Sequence, residues 1–251
     1  MFREEIEQEY IVAMDGTSEG TQMKYKKNNY WYKKDCRGRE GLAEYLISGL
    51  LTYSDLSSSE YVIYEKGLIN EVEGCRSRDF LKEGEELVTF YRLYYNEFGK
   101  DLSHVLVTME TMEERIEYVV RFVWQSCGVD IREYLKKIFT LDMITLNEDR
   151  HLNNLAVLSQ GNQFVPAPIF DNGVSLLTAN QSVNWHFPME ENVRRVVARP
   201  FCGSHERMFK YFGVGFHLDF PAVMRWLKKE DESREKDVLI YQLQRYPFLA
   251  R

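Results

Sequence analysis

The most informative stretch of this 251-residue sequence is Leu146-Asn-Glu-Asp-Arg-His-Leu-Asn-Asn154. It is a polar segment that lies between a helical pattern and two strand-like pieces joined by turn-forming residues. Asp171 follows directly after the second strand-like piece. Because a hairpin returns its two ends to one place, we expect Asp171 to face the segment that carries Asp149 and Asn154. Two carboxylates and an amide would then converge on one point.

These three side chains suit phosphoryl transfer from ATP, which needs hard oxygen ligands for magnesium and a carboxylate near the acceptor hydroxyl. Aspartate and asparagine are also common turn formers, and Asp171-Asn-Gly173 alone could be a type I′ turn. A turn, however, requires neither Asp-Arg-His before the asparagine nor an apolar strand that ends in aspartate. The combination therefore favours a functional site.

The segment Asp149-Arg-His-Leu-Asn-Asn154 followed by Ile169-Phe-Asp-Asn-Gly173 resembles the catalytic loop and metal-binding segment of the HipA-like serine/threonine kinases. Phosphoinositide lipid kinases have similar Asp-Arg-His-x-x-Asn loops. The resemblance implies an α+β, two-lobed protein-kinase-like fold, with ATP and Mg²⁺ as cofactors. It also implies that Asp149 is the catalytic aspartate and that Asn154 and Asp171 are the magnesium ligands.

His151 lies inside this loop and has two interpretations. By comparison with the lipid kinases it is a candidate catalytic residue that assists proton transfer. Alternatively, it packs beneath the loop and holds its shape through a hydrogen bond to the backbone. The second interpretation is favoured because Asp149 already supplies a carboxylate for the acceptor.

The segment Ser18-Glu-Gly-Thr-Gln-Met-Lys24 resembles the glycine-containing phosphate loop of the same family, in which Gly-x-Gln-x-Lys recurs. Backbone N–H groups in such a loop can hold phosphate oxygens. A surface turn would use the same residue types. The resemblance implies that Ser18 is a candidate site of inhibitory autophosphorylation, and it assigns nucleotide binding to Ser18, Gly20, Thr21 and Gln22.

The strand Tyr30-Trp-Tyr-Lys33 resembles the strand whose lysine contacts the nucleotide phosphates. Lys33 is the predicted cleft lysine and Lys34 the alternative, because successive strand residues face opposite sides. Glu40 is expected to hold that lysine in an ion pair, with Glu44, one helical turn later, as the substitute.

Hydrophobic periodicity predicts a small N-terminal lobe in residues 1–75 and a larger, mainly helical lobe in residues 76–251. The expected hinge lies somewhere in 65–80. In the first lobe, strands are predicted at 10–14, 30–33 and 61–64 and a helix at 40–51. The second lobe has helical patterns at 87–98, from 111 and from 130, strands at 155–158 and 164–170, and helices at 189–198, 204–212, 220–229 and 233–245.

The composition narrows the possible partners. The net charge of −7 argues against nucleic acid as the main ligand. Four scattered cysteines, no signal-peptide pattern and no run of about 18 apolar residues predict a cytoplasmic protein with no membrane partner.

The leading hypothesis is a Ser/Thr kinase with a nucleotide and an unidentified protein substrate as partners. The alternatives are a kinase of a small molecule or lipid headgroup, and a nucleotide-binding pseudokinase. Longer HipA-type toxins have an additional N-terminal subdomain, whereas this sequence begins close to the phosphate-loop motif. Pairing with a DNA-binding antitoxin is therefore left open.

Overall fold

The computed structural model describes residues 1–12 and 22–251. Its N-terminal part is a five-stranded sheet in the order β1-β4-β5-β3-β2. Neighbouring strands are antiparallel, except that β1 runs parallel to β4. The five strands are β1 (Phe2–Glu4), β2 (Lys24–Lys27), β3 (Tyr30–Lys34), β4 (Tyr64–Ile69) and β5 (Val72–Arg78).

Helix α1 (Glu40–Leu51) lies against this sheet and has the bounds that the sequence predicts. Most of its apolar side chains, among them Leu46, Ile47 and Leu50, are almost completely buried. The first turn of the helix approaches the sheet backbone so closely that a β-carbon on Gly41 would lie 2.4 Å from the carbonyl carbon of Gly74. The helix therefore has little freedom to move relative to β5.

The larger part of the molecule is mainly helical and contains a second, antiparallel sheet in the order β6-β7-β8. Its strands are β6 (Glu86–Thr89), β7 (Ala156–Gln160) and β8 (Gln163–Pro166). The helices are α2 (Phe90–Phe98), α3 (Leu102–Val107), α4 (Met112–Cys127), α5 (Arg132–Thr145), α6 (Met189–Val193), α7 (His205–Phe212), α8 (Phe220–Leu227) and α9 (Arg234–Arg245). The mixed α+β, two-lobed architecture predicted from the sequence is confirmed.

Most of the range 65–80, in which the hinge is expected, belongs to the first sheet. Strands β4 and β5 form a hairpin within the first sheet, and the chain leaves that sheet only after Arg78, three residues past the predicted lobe boundary. The turn of the hairpin is Asn70-Glu71, and both residues have positive φ angles of 48° and 62°. This geometry suits the twist of a two-residue hairpin, but glutamate is an unusual residue for it, so the sequence did not reveal the turn.

Two other strand predictions also needed correction. Residues 8–10 form a short 3₁₀ turn, and only Ile11 pairs with a strand, through a bridge to Tyr25; residues 13 and 14 lie outside the described part of the chain. The strand expected at 61–64 begins at Tyr64, while Tyr61 forms an isolated bridge to Ile169.

Two helix ends have clear local signals. Helix α4 begins with a capping box formed by Thr111 and Glu114, and Gly99 ends α2 in the left-handed conformation. Leu87, which the helical pattern included, lies in β6 instead, because α2 begins only after the capping residue Thr89. The sequence did not predict α3.

The main hydrophobic core runs through the larger lobe and includes the buried face of α1. Within residues 1–12 and 22–251, the structure has no helix that is both long and apolar enough to cross a membrane.

Candidate active site

A cavity of about 290 Å³ lies between the two lobes. Its walls combine residues from the first sheet, the start of α1, the segment between α5 and β7, and the segment after β8. It is lined by Gln22, Lys24, Cys36, Arg37, Glu40, Leu87, Thr89, Arg92, Asp149, His151, Asn153, Asn154, Phe170, Asp171, Gly173 and Val174. The structure therefore brings Asp149, Asn154 and Asp171 together, as expected from the hairpin.

The loop from Asp149 to Asn154 is held by its own polar groups. The side-chain amide of Asn154 donates to the carbonyl oxygen of Asp149 at 2.9 Å, and the Asn154 backbone N–H donates to the carbonyl of His151 at 2.8 Å. The Asp149 backbone N–H donates to Oδ1 of Asn147 at 2.9 Å. Because the nitrogen of the Asn154 amide is used in this way, its oxygen is the atom left for a cation.

Arg150 connects this loop to the segment that contains Asp171, and it is completely buried. Its guanidinium forms a two-point ion pair with Asp142 of α5, with Nε–Oδ2 and Nη2–Oδ1 distances of 3.1 and 2.9 Å. The same group donates to Oδ1 of Asn172 at 2.6 Å and to the carbonyl of Phe170 at 2.9 Å. One side chain thus fixes the position of both halves of the site.

Asp171 has a left-handed backbone conformation, with a φ of 57°, and carries two lysine contacts. Lys33 Nζ lies 2.8 Å from Oδ1, and Lys24 Nζ lies 3.3 Å from Oδ2. Burial alone would raise the pKa of Asp171, but the charges of Lys24 and Lys33 hold it well below its usual range. The carboxylate is therefore ionised at neutral pH.

Glu44, and not Glu40, forms the ion pair with Lys33. Glu44 Oε1 lies 2.8 Å from Lys33 Nζ, and Glu44 Oε2 accepts the backbone N–H of Asn172 at 3.0 Å. Burial disfavours the charge on Lys33, yet Asp171 and Glu44 raise its pKa well above the ordinary value. Lys34 lies over the Tyr25 ring, at 5.2 Å from the ring centroid. Lys33 is thus the lysine of the pair that joins this ion network.

The carboxylate of Glu40 has a different role from the one predicted. It accepts three backbone N–H groups, from Cys36 at 3.2 Å, Arg37 at 2.7 Å and Gly38 at 3.1 Å. These bonds hold it at the start of α1, one turn before the position that Lys33 reaches. Glu40 still lines the cavity, but it organises the loop that precedes the helix.

His151 contacts both the backbone and Asp149. Its Nδ1 accepts the backbone N–H of Asn153 at 3.2 Å, which matches the loop-holding interpretation. Its Nε2 faces the Asp149 carboxylate at 3.8 Å, and the ring lines the cavity. A catalytic role for His151 stays a prediction.

The predicted phosphate loop is described only in part. Gln22 lines the cavity and donates from Nε2 to the carbonyl of Lys34 at 2.8 Å. Ser18, Gly20 and Thr21 lie outside the described residues. Their assignment to nucleotide binding, and that of Ser18 to autophosphorylation, stay predictions.

The electrostatics around Asp149 differ from those around Asp171. Burial raises the pKa of Asp149; the His151 charge opposes this, and the negative charge of Asp171 adds to it. Asp149 is thus a stronger proton acceptor than an exposed aspartate, which is the property that a general base needs.

The oxygen donors of the site suit Mg²⁺. Among the described residues, no cluster of three or more His, Cys, Asp or Glu side chains could hold a metal ion. Magnesium at nucleotide sites typically takes only one or two protein ligands, with phosphates and waters as the others. Asn154 and Asp171 are a donor set of that kind.

The two lobes, the cavity between them and the ion pair of Lys33 on the first sheet with Glu44 on α1 define a protein-kinase-like fold. A solved structure of this fold is that of the proinflammatory kinase CtkA of Helicobacter pylori. The match has a TM-score of 0.63 and covers 92% of this chain and 88% of that chain, at 15% sequence identity. At this identity the likeness shows the fold. No family model matches the sequence, and no curated protein is similar enough to match.

Sequence reasoning missed two residues that organise the site. Lys24 was noted only as part of a loop motif, although it lines the cavity and contacts Asp171. The loop motif contains Arg150, but it gives no sign that this side chain is fully buried. A signal for Lys24 existed in its alternation with Tyr25, because a buried tyrosine turns the preceding lysine to the other face of the strand.

Proposed function

We propose that this chain is an ATP-dependent, magnesium-requiring phosphotransferase, and that it acts as a serine/threonine protein kinase. The observation that carries the proposal is the convergence of Asp149, Asn154 and Asp171 on one cavity between the lobes. The kinase-like fold and the complete Lys33–Glu44 pair support it. The resemblance of the Asp149–Asn154 loop to the HipA-like kinases supports serine or threonine as the acceptor.

Each side chain has a separate task in this proposal. Asp149 orients the acceptor hydroxyl and accepts its proton. Asn154 and Asp171 would offer oxygen ligands for Mg²⁺, which would neutralise negative charge of the nucleotide phosphates. Lys24 and Lys33 form ion pairs with Asp171, so their charges would lie beside nucleotide phosphates bound at that carboxylate.

The experiment that tests this function is incubation with γ-labelled ATP and magnesium, with and without protein acceptors. Asp149→Asn is expected to reduce transfer about 10²–10⁴-fold, because it removes the base but keeps the volume. Nucleotide binding, measured by calorimetry, should be retained. Asp231→Asn is the matched control, since Asp231 is 94% exposed and lies away from the cavity.

Two results would change the proposal. Turnover by Asp149→Asn close to that of the wild type would remove Asp149 from the role of base. Labelling of small alcohols or lipid headgroups, without labelling of protein, would replace the protein acceptor by the alternative class.

Autophosphorylation at Ser18 is the second part of the proposal. A phosphate there would add nearly two negative charges where the nucleotide phosphates bind, so modification is expected to inhibit. Intact-mass measurement after incubation with MgATP, followed by peptide mapping, tests this. An active preparation without phosphate on residues 17–21 would refute self-inhibition but not the kinase activity.

A further inference from the structure

A carboxylate that does not line the cavity contacts the helix that carries Glu44. Glu230 lies in the loop between α8 and α9, and Oε1 accepts the Tyr45 hydroxyl at 2.8 Å and Nε1–H of Trp226 at 2.9 Å. Its Oε2 lies 3.4 Å from Nζ of Lys66 on β4. One side chain of the larger lobe thus joins α1, the first sheet and α8.

The contact with Tyr45 is a stable one. Burial and the Glu230 carboxylate raise the pKa of Tyr45 to about 12, so the phenol stays protonated and donates. The Glu230 side chain is only 14% exposed. Its loop is fixed as well, because the almost fully buried Lys236 donates to the carbonyl of Glu230 at 2.9 Å.

Packing at the end of α1 strengthens the same connection. The indole of Trp226 lies directly on the helix backbone, so that a β-carbon on Gly49 would be 2.5 Å from the ring. The Tyr53 ring packs against the same indole, with ring centroids 5.6 Å apart. Helix α1 is therefore held at Gly41 by the sheet and at Tyr45 and Gly49 by the larger lobe.

Tyr45 is the sequence neighbour of Glu44, and this connects Glu230 to the active site. The Glu44 carboxylate accepts hydrogen bonds from Lys33 Nζ and from the backbone N–H of Asn172. A rotation or shift of α1 would move the Glu44 carboxylate away from both donors. A displacement of about 1 Å at a catalytic site can reduce a rate about 10²-fold.

We propose that Glu230 is a positioning residue: it fixes α1 through Tyr45 and Trp226 and thereby keeps Glu44 on Lys33 and Asn172. This inference rests on the proposed phosphotransferase function, because it assigns a purpose to the lysine–glutamate pair. It differs from a general stabilising role in one respect. The loss of Glu230 should loosen α1 and the site more than it loosens the larger lobe.

The test compares four substitutions in the full chain. Glu230→Leu removes the acceptor, whereas Glu230→Gln keeps an amide oxygen for Tyr45 and Trp226. Asp231→Asn is the matched control, since Asp231 also lies 3.4 Å from Lys66 Nζ but is 94% exposed. A fourth variant, Val123→Ala in the buried face of α4, lowers stability at a position outside α1.

Two measurements are made on each variant. Hydrogen exchange of peptides from 40–51 should become faster in Glu230→Leu, while peptides from β7 and β8 keep their wild-type rates. Phosphotransfer at saturating magnesium should fall about 10–100-fold in Glu230→Leu. Activity should return to within about threefold of wild type in Glu230→Gln, and Asp231→Asn should match wild type.

Several outcomes overturn the proposal. One is unchanged exchange in 40–51 of Glu230→Leu. Another is an equal loss of transfer in Val123→Ala at the same melting temperature, which would make the effect one of stability. If the wild type transfers no phosphate at all, the proposed function fails, but the exchange data still support or refute the hold of Glu230 on α1.

Discussion

Two buried cations beside the cleft are held in different ways. The partners of Arg150 are Asp142, Asn172 and the carbonyl of Phe170, and both Arg150 and Asp142 have side chains with no exposed surface. Lys33 instead shares Asp171 with Lys24, and Asp171 lines the cavity. An ion pair that is closed to the cavity can only shape the protein. One that opens onto the cavity can also respond to a ligand.

Arg150→Met is expected to have the largest effect on stability. It leaves the Asp142 carboxylate buried without a counter-charge, so the free energy of unfolding should fall by about 3–5 kcal/mol. Urea denaturation measures this. The double variant Arg150→Met, Asp142→Leu is the control and should be more stable than the single variant. Equal stability of the two would show that the buried charge is not the cause.

Lys33→Met should have the largest effect on activity after Asp149→Asn. We expect phosphotransfer to fall about 10²–10³-fold, as for the loss of a preorganised donor at a reacting group. The free energy of unfolding should fall as well, because the buried Glu44 loses its cation, although Lys24 still pairs with Asp171. Lys34→Met on the opposite face of β3 is the control. An equal loss of transfer in both lysine variants would contradict the assignment.

Asp171→Ala should weaken the nucleotide complex only when magnesium is present. It removes an oxygen ligand, and the gain in ATP affinity on adding magnesium should shrink by at least about tenfold. Calorimetry with magnesium and with a chelator separates the two conditions. A gain equal to that of the wild type would exclude Asp171 as a magnesium ligand.

The smallest predicted effect concerns Asp35, which lies just before α1. Burial raises its pKa to about 6, and its Oδ1 accepts the backbone N–H of Gly41 at 2.6 Å. A raised pKa in the folded state means that Asp35 contributes stability below about pH 4 and loses that contribution as the pH rises through 6. Asp35→Asn keeps the acceptor but does not titrate.

Melting temperatures of wild type and Asp35→Asn between pH 4 and pH 7 provide the measurement. The variant should gain stability relative to wild type as the pH rises through this range. Parallel curves would show that Asp35 does not titrate differently in the folded and unfolded states.

The sequence predicted α1 correctly because local periodicity and its end points determine that helix. It did not predict which glutamate pairs with Lys33. Glu40 and Glu44 are four residues apart and lie on the same face of α1, so periodicity cannot distinguish them. The choice depends on how α1 lies against the sheet, where Gly41 is in close contact with Gly74 of β5.

The burial of Arg150 could not be predicted for a related reason. Arginine is rarely buried without a partner, and its partner Asp142 lies on α5 in a pattern that reads as an ordinary amphipathic helix. The convergence of Asp149 and Asp171 was predictable because one hairpin joins them. The link from Glu230 to Tyr45 spans 185 residues, and no local pattern reports it.

That separation has a consequence for how the protein is made. Synthesis proceeds from the N-terminus, and the first sheet with α1 can begin to fold while the rest of the chain is still being translated. Tyr45 and Gly49 receive their partners only when residues 226 and 230 have left the ribosome. Helix α1 therefore gains its contacts with the larger lobe only when nearly the whole chain has been synthesised. Until then, the lysine–glutamate pair lacks the contacts of Tyr45 and Gly49 that hold α1 in the finished protein.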